Sequence, residues 1–208
     1  VHVGDGLAFL ARGPLPADHA VVTSLPDVSE VSLEFEAWRT WFTEAAEASC
    51  AAVSDEAVAV FFQSDVVRDG RWVDKGALVH VAAERAGAHL LFHQIVCRAP
   101  AGTALRSGRP GYSHLLAYSR ALRLDARSRE PDVLPRLGKM TWARAMGTEV
   151  CSAVCRFLLR ETACRVVVDP FCGVGTMLAA ANAHGMAALG VELSPKRAAL
   201  ARKLELKP

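Results

Sequence analysis

Near the end of the chain, Asp169-Pro170-Phe171-Cys172-Gly173-Val174-Gly175-Thr176 joins a β-branched run, Val166-Val167-Val168, to an alanine-rich stretch. A strand ending at an acid, a tight turn and a helix start are the parts of a ligand-binding loop. Gly173 and Gly175 open backbone angles closed to other residues and let a ligand approach the main chain. The helix start beyond them presents N–H groups and a positive dipole end to a carboxylate or phosphate. Two nucleotide loops do not fit. A dinucleotide site needs a glycine three residues after Gly175, where Leu178 stands, and a triphosphate loop needs a lysine that does not follow. A second acid completes the pattern. Ala187-Ala188-Leu189-Gly190-Val191-Glu192 reads as the next strand, and a carboxylate at its end suits a bidentate grip on ribose hydroxyls.

These residues need a sheet to hold them, and little chain remains after Glu192 to build one. The other strands must lie earlier. Short strands are expected at Val1 to Asp5 and Ala20 to Thr23, longer ones at Ala57 to Gln63 and His89 to Cys97, and another at His114 to Ser119. Arg165 to Asp169 and Ala187 to Glu192 bring the count to seven. Helices are expected at Phe35 to Cys50, Lys75 to Ala86 and Thr141 to Thr162. The alternation argues for an α/β fold, a mostly parallel sheet with helices on both faces.

The Asp-Pro-Phe-Cys-Gly-x-Gly-Thr segment resembles motif I of S-adenosylmethionine-dependent methyltransferases, in the form typical of enzymes that methylate nucleic-acid amino groups. The whole chain resembles the circularly permuted arrangement of the β-class N4-cytosine/N6-adenine DNA methylases and their RNA-modifying relatives. The resemblance implies a seven-stranded Rossmann-like methyltransferase sheet that runs from its third strand to its seventh and then supplies the first and second. It implies a single domain over residues 1–208: an acceptor-side half (1–120), a short basic loop (121–140) and a cofactor-binding half (141–208). It also implies S-adenosyl-L-methionine as cofactor, held by Asp169, Pro170, Phe171, Cys172, Gly173, Gly175, Thr176 and Glu192. Gly4-Asp5-Gly6-Leu7 matches the family's Gly-Asp-x-Leu opening, which places Asp5 near the cofactor adenine; a turn residue after a strand is the other reading. Lys139-Met140-Thr141-Trp142 is set by the resemblance against the methionine half of the cofactor, with Thr141 doubling as a helix N-cap.

Methyl transfer from a sulfonium is an in-line displacement, so the acceptor lone pair must be aligned and water excluded. In the family this falls to an Asp/Asn/Ser-Pro-Pro-aromatic tetrad, whose first side chain and following carbonyl bind the amino group while the ring stacks on a flipped base. The matching residues are Ser24-Leu25-Pro26-Asp27. Ser24 and Pro26 fit, Leu25 replaces a proline and Asp27 replaces the ring. Phe35, Trp38 or Trp41 must then supply the stack, or the acceptor is held differently. Asp27 adds a carboxylate that accepts a proton or a base N–H, guanine's N1–H and N2 amine being natural partners. Its alternative role is to cap the following helix. Gln63 and Asp65, at another strand end, are secondary candidates for the same pocket. Gly108-Arg109-Pro110-Gly111-Tyr112-Ser113-His114 resembles the family's region before the seventh strand, facing the acceptor, which implies that Tyr112 stacks on a base and His114 binds phosphate; packing is the alternative for both, and the stronger one for His114.

Net charge is +2, unevenly spread. Residues 1–97 hold 6 basic and 14 acidic groups, net −8, while residues 98–144 hold 10 basic and 3 acidic, net +7. Arginines in such a block suit phosphate contacts, and Arg106, Arg109 and Arg123 are the substrate-binding candidates with Tyr112. A solvated basic loop face is the alternative. Sequence-specific DNA methylases of the family carry a sizeable target-recognition insertion where this chain has only Ala121 to Met140. That favours a structured RNA, tRNA or rRNA, with DNA as the alternative acceptor. A protein or small-molecule methyltransferase, or a catalytically silent cofactor-binding subunit, are the competing classes, and a partner subunit or homodimer is left open. The six cysteines lack metal spacing and the seven histidines are scattered, so no metal site is expected. No eighteen-residue apolar run or secretory leader is visible, and a cytoplasmic location is expected.

Overall fold

The computed structural model describes residues 1–105, 110–125, 131–142 and 145–207. Its main sheet contains β1 (His2–Val3), β2 (His19–Thr23), β3 (Ala59–Gln63), β6 (His89–Cys97), β7 (Tyr112–Ser119), β8 (Val133–Leu134), β9 (Val166–Asp169) and β10 (Ala187–Glu192). The order across it is β1-β10-β9-β2-β3-β7-β6-β8. The late strands β9 and β10 are therefore inserted between the first two. All neighbours are parallel except β7, which is antiparallel to β3 and β6. A separate hairpin pairs β4 (Val66–Arg68) with β5 (Arg71–Val73). It turns on Asp69-Gly70, both at positive φ, the backbone that a two-residue hairpin turn demands.

Helices α1 (Gly6–Leu10), α2 (Phe35–Ala52) and α3 (Lys75–Arg85) pack on one another, as do α4 (Thr148–Glu161), α5 (Thr176–Ala183) and α6 (Pro195–Ala201). All five residues of β3 and four of the five in β2 are buried, as expected for strands covered on both faces. The α2 stripe Trp38, Phe42, Ala45, Ala46, Ser49 and Cys50 recurs at helical spacing and faces the core. Helix α5 is nearly all small and apolar because it is buried along its length. Leu178 occupies the place where a dinucleotide loop has a glycine for close packing. The gap is made on the strand instead: a Cβ on Gly190 would stand 2.4 Å from Leu178 Cδ1.

Three expectations are corrected. The main sheet has eight strands rather than seven, because Val133 and Leu134 pair in parallel with Ile95 and Val96. The described part of residues 121–140 is thus partly sheet, not merely a loop. The helix expected from Thr141 begins only at Thr148, with Gly147 as N-cap, so Thr141 is not its N-cap. Its start is fixed from outside: the Leu137 carbonyl accepts from Glu149 and Val150 N–H, and Lys139 carbonyl from Thr148 N–H. Those are first-turn N–H groups with no partner inside the helix.

Candidate functional site

The carboxyl ends of β10, β9, β2 and β3 bring Glu192, Asp169, Thr23 and Gln63 to one edge of the sheet. From the adjacent strands β9 and β2 the chain moves off in opposite directions along the sheet, to β10 and to β3, and open α/β sheets form ligand crevices at such a point. Thr23 Oγ1 bridges that gap, donating to Asp169 Oδ1 at 2.7 Å. Phe171 N–H donates to the same oxygen at 3.1 Å. Burial raises the Asp169 carboxyl to about 7, and Glu192 nearby adds to the rise against these two hydrogen bonds.

A cavity of ≈ 220 Å³ opens there. Its wall includes Asp5, Ser24, Pro26, Asp169, Pro170, Phe171, Cys172, Gly173, Thr176 and Glu192, all singled out from the sequence. Asp5 also caps α1, accepting from Ala8 N–H at 2.7 Å. Gly175 stands behind the wall: at φ +82° it turns the chain into α5, and a Cβ there would meet Ala201 Cβ at 2.8 Å. Thr141 sits behind the wall too, its hydroxyl 2.5 Å from that of Thr176. Glu192 Oε1 accepts from Ser194 N–H at 2.8 Å and from Arg197 Nε and Nη2 at 2.9 and 2.8 Å. Glu192 Oε2 takes no hydrogen bond from the described residues. Trp41, Trp142, Met146, Met177 and Arg197 also line the wall, and the sequence did not individually assign them to the cofactor. Trp41 meets Phe171 edge-on at 5.6 Å. Only Trp142 lay in a stretch the sequence had marked; Trp41 was offered for a different pocket.

A second cavity, ≈ 470 Å³, adjoins the first, and Ser24, Glu30 and Ala145 line both. Its other walls include Leu25, Asp27, Phe62, Gln63, Ser64, Asp65, Lys75 and Arg98, with Val66, Val67 and Arg68 of the hairpin closing one side. Asp27 is not a helix cap, since α2 starts at Phe35 behind Glu34. Its Oδ2 accepts from Lys75 Nζ at 3.0 Å and its Oδ1 from Ser29 N–H at 3.0 Å. Burial pushes the Asp27 carboxyl up, but the Lys75 ammonium and Ser29 outweigh it and hold the group below the usual carboxylate range. Both oxygens of Asp27 are thus already engaged, so the proton or base N–H expected of it from the sequence would have to compete with Lys75 and Ser29. The aromatic substitutes do not reach this cavity. Trp38 is wholly buried and donates its indole N–H to the Pro26 carbonyl at 3.1 Å; Phe35 stacks on Trp38 at 5.7 Å.

Asp65 is a structural hub. It accepts from Lys75 N–H at 2.9 Å, Trp72 Nε1 at 3.0 Å, Tyr112 hydroxyl at 3.4 Å and His114 Nε2 at 3.0 Å. Burial raises its carboxyl, yet these donors, His114 first, bring it below the ordinary value. Tyr112 packs edge-on against His114 at 5.3 Å and is not on either cavity wall, so the expected base-stacking ring is tied into this hub. Polar atoms of Asp65, Asp74 and His114 lie within 4.8 Å of one another, a grouping the scattered histidines did not suggest. The hydrogen bonds on Asp65 make it a hub rather than a ligand set.

The described arginines of the basic block do not share one surface. Arg98 lines the second cavity, donating to Ser64 Oγ at 3.2 Å. Arg123 lies beyond the far end of β7, at the opposite sheet edge, where it donates to the Ala121 and Leu122 carbonyls and contacts His89. That placement removes it as a substrate contact of these cavities. Arg120 is on the same edge, bound to Asp55 and to the Cys50 and Val53 carbonyls at the C-terminal end of α2. Arg106, Arg109, Arg127, Arg129 and Arg144 lie outside the described residues. All six cysteines are free thiols, five of them buried. No helix among the described residues is long and apolar enough to cross a membrane.

No family model and no curated protein matches the chain. Solved structures do. TTHA0409, a candidate DNA modification methylase of Thermus thermophilus, aligns over 97% of this chain and 92% of its own, at 24% identity and TM-score 0.74. Its complex with S-adenosyl-L-methionine aligns over 97% and 90%, at 24% identity and TM-score 0.71. The cytosine-N4-specific PvuII DNA methyltransferase aligns over 97% and 84%, at 14% identity and TM-score 0.75. The chain therefore has the fold of these proteins.

Proposed function

We propose that this chain is an S-adenosyl-L-methionine-dependent methyltransferase acting on an exocyclic amino nitrogen of cytosine or adenine in DNA. The observation that carries the reading is the meeting of two cavities at Ser24, one suited to the cofactor and one to an acceptor. The strand order supports reading the sheet as a methyltransferase sheet entered at its third strand.

The first cavity fits the cofactor. Glu192 Oε2 is placed to accept from ribose hydroxyls while Arg197 and Ser194 fix its other oxygen. Trp41, Phe171, Trp142, Met146 and Met177 offer apolar contact for a purine and a thioether chain. Asp169, with Glu192 and Asp5, places carboxylates where a cationic ligand is favoured. When bound, the cofactor supplies an electrophilic methyl group.

The acceptor side belongs to the loop after β2. Ser24 and the carbonyl of Leu25 accept the amine hydrogens and point its lone pair toward the first cavity. Trp38 holds the Pro26 carbonyl and so fixes the loop. A neutral amine attacks without prior deprotonation, and its nitrogen becomes strongly acidic once alkylated. A strong base is therefore not needed, in keeping with an ion-paired Asp27.

DNA is favoured over RNA because the fold's neighbours include DNA methylases. The short 121–140 segment, which first favoured RNA, does not weigh against DNA: TTHA0409 is matched over 92% of its length. The test supplies labelled S-adenosyl-L-methionine with unmethylated DNA and, separately, total RNA, followed by nucleoside mass spectrometry. N4-methylcytosine or N6-methyladenine in DNA is the expected product. Label confined to RNA restores the RNA reading, and label in neither overturns base methylation.

A further inference from the structure

Gln63 ends β3 and is 1% exposed, yet it lines the second cavity. Its amide nitrogen has no hydrogen-bond partner among the described residues. Other polar groups around it are engaged: Asp27 with Lys75, Asp65 with His114 and Trp72, and Ser64 with Ser113 at 2.6 Å. A buried donor left unpaired is costly and rare in folded proteins. A ligand that brings an acceptor to it removes that cost.

We infer that Gln63 is the specificity-determining residue of the acceptor pocket, donating from its amide to the ring nitrogen beside the amine of the target base. This rests on the base-methylation reading. Cytosine and adenine both carry an unprotonated ring nitrogen next to the exocyclic amine, N3 beside N4 and N1 beside N6. Guanine and thymine carry an N–H at the corresponding place, which sets donor against donor. The carboxylate that suited guanine, Asp27, is already paired with Lys75. Recognition by an edge hydrogen bond also answers the missing aromatic of the tetrad. The ring on this wall is Phe62, itself only 4% exposed. A site built to hydrogen-bond one edge rejects an analogue lacking it far more strongly than an apolar pocket does.

The experiment compares wild type with Gln63→Met on two DNA duplexes, one normal and one whose target base has the ring nitrogen replaced by C–H. Wild type is expected to lose about tenfold or more in kcat/KM on the altered base. Gln63→Met is expected to lose as much on the normal base and to discriminate little between the two. Its affinity for S-adenosyl-L-methionine should be unchanged, and its Tm equal to or above wild type, since the change removes an unpaired buried group. Gln63→Glu, which lacks the donor, should behave like Gln63→Met in kcat/KM. Undiminished discrimination by Gln63→Met, or a lowered Tm with weakened cofactor binding, overturns the inference alone. No transfer to any nucleic acid by wild type overturns the base-methylation reading and the inference with it.

Discussion

Asp27 and Lys75 form an ion pair at 3.0 Å, with the lysine side chain 4% exposed and the aspartate 24%. Lys75 Nζ also lies 5.9 Å from the Trp38 ring centroid. The pair ties the loop after β2 to the start of α3, and both residues line the second cavity. Removing one partner leaves a buried charge uncompensated, whereas removing both leaves none. Asp27→Asn should cost about 2–4 kcal/mol by denaturant unfolding, and Asp27→Asn with Lys75→Met should recover most of it. Additive losses in the double variant would show that the pair is not coupled.

Glu192→Gln tests the cofactor cavity. It keeps shape but removes the charge that orients Arg197 and that the proposed reading sets against a ribose. Affinity for S-adenosyl-L-methionine and for its demethylated product should both fall by about 2 kcal/mol in calorimetry, roughly thirtyfold. Equal affinity would place the ribose elsewhere.

Asp169 links stability to pH. Its folded value of about 7 lies above the ordinary 3.8, so the native state keeps a proton that the unfolded chain has lost across that window. This group's stabilising contribution is complete below the window and falls as pH rises through it. Asp169→Asn removes the dependence and can still accept from Thr23. Its Tm should exceed wild type by several degrees at pH 8, with the difference closing toward pH 4. The same variant should bind the cationic cofactor more weakly, and wild-type affinity should drop below pH 7, where Asp169 is protonated. A Tm difference that does not vary with pH would contradict this.

Arg98 and Arg123, at opposite ends of β7, give a contrast. Arg98→Gln should weaken DNA binding and lower the slope of log affinity against log salt by about one unit. Arg123→Gln should change neither. Equal effects would mean that the DNA path also crosses the far edge.

Much of the site was legible because it is written locally. A β-branched run, two glycines and an acid at each strand end need no distant information, and Asp169, Gly173 and Glu192 lie where those signals put them. The hairpin was just as local: Asp69-Gly70 between two valine-containing runs is a strong turn signal, and it was passed over. The other failures are tertiary. Lys75 looks like the first residue of an ordinary helix, and nothing near Asp27 says that it lies 3.0 Å away. Trp38 and Trp41 differ by three positions on α2, yet one holds the Pro26 carbonyl and the other faces the cofactor cavity. Charge counting failed for the same reason, since Arg98 and Arg123 are close in sequence but separated by the length of β7. Thr141 was misplaced because the carbonyls that start α4 come from Leu137 and Lys139, contacts that helix periodicity does not encode.

The register of β1 has a consequence for biosynthesis. His2 pairs with Val191 and Val3 with Glu192, so β1 waits for a strand made much later along the chain. Strands β2, β3, β6 and β7 can meet as they leave the ribosome, but β2 lacks its neighbour β9 and β1 lacks its neighbour β10 until those later strands emerge. At roughly 5–20 residues per second, that interval is on the order of ten seconds or more. Closing so long a loop adds little to the equilibrium cost but slows the search. A nascent chain is therefore unable to assemble the first cavity, which Asp169 and Glu192 line, until β9 and β10 have emerged. For those seconds the exposed edges of β1 and β2 are the surfaces that a chaperone must cover.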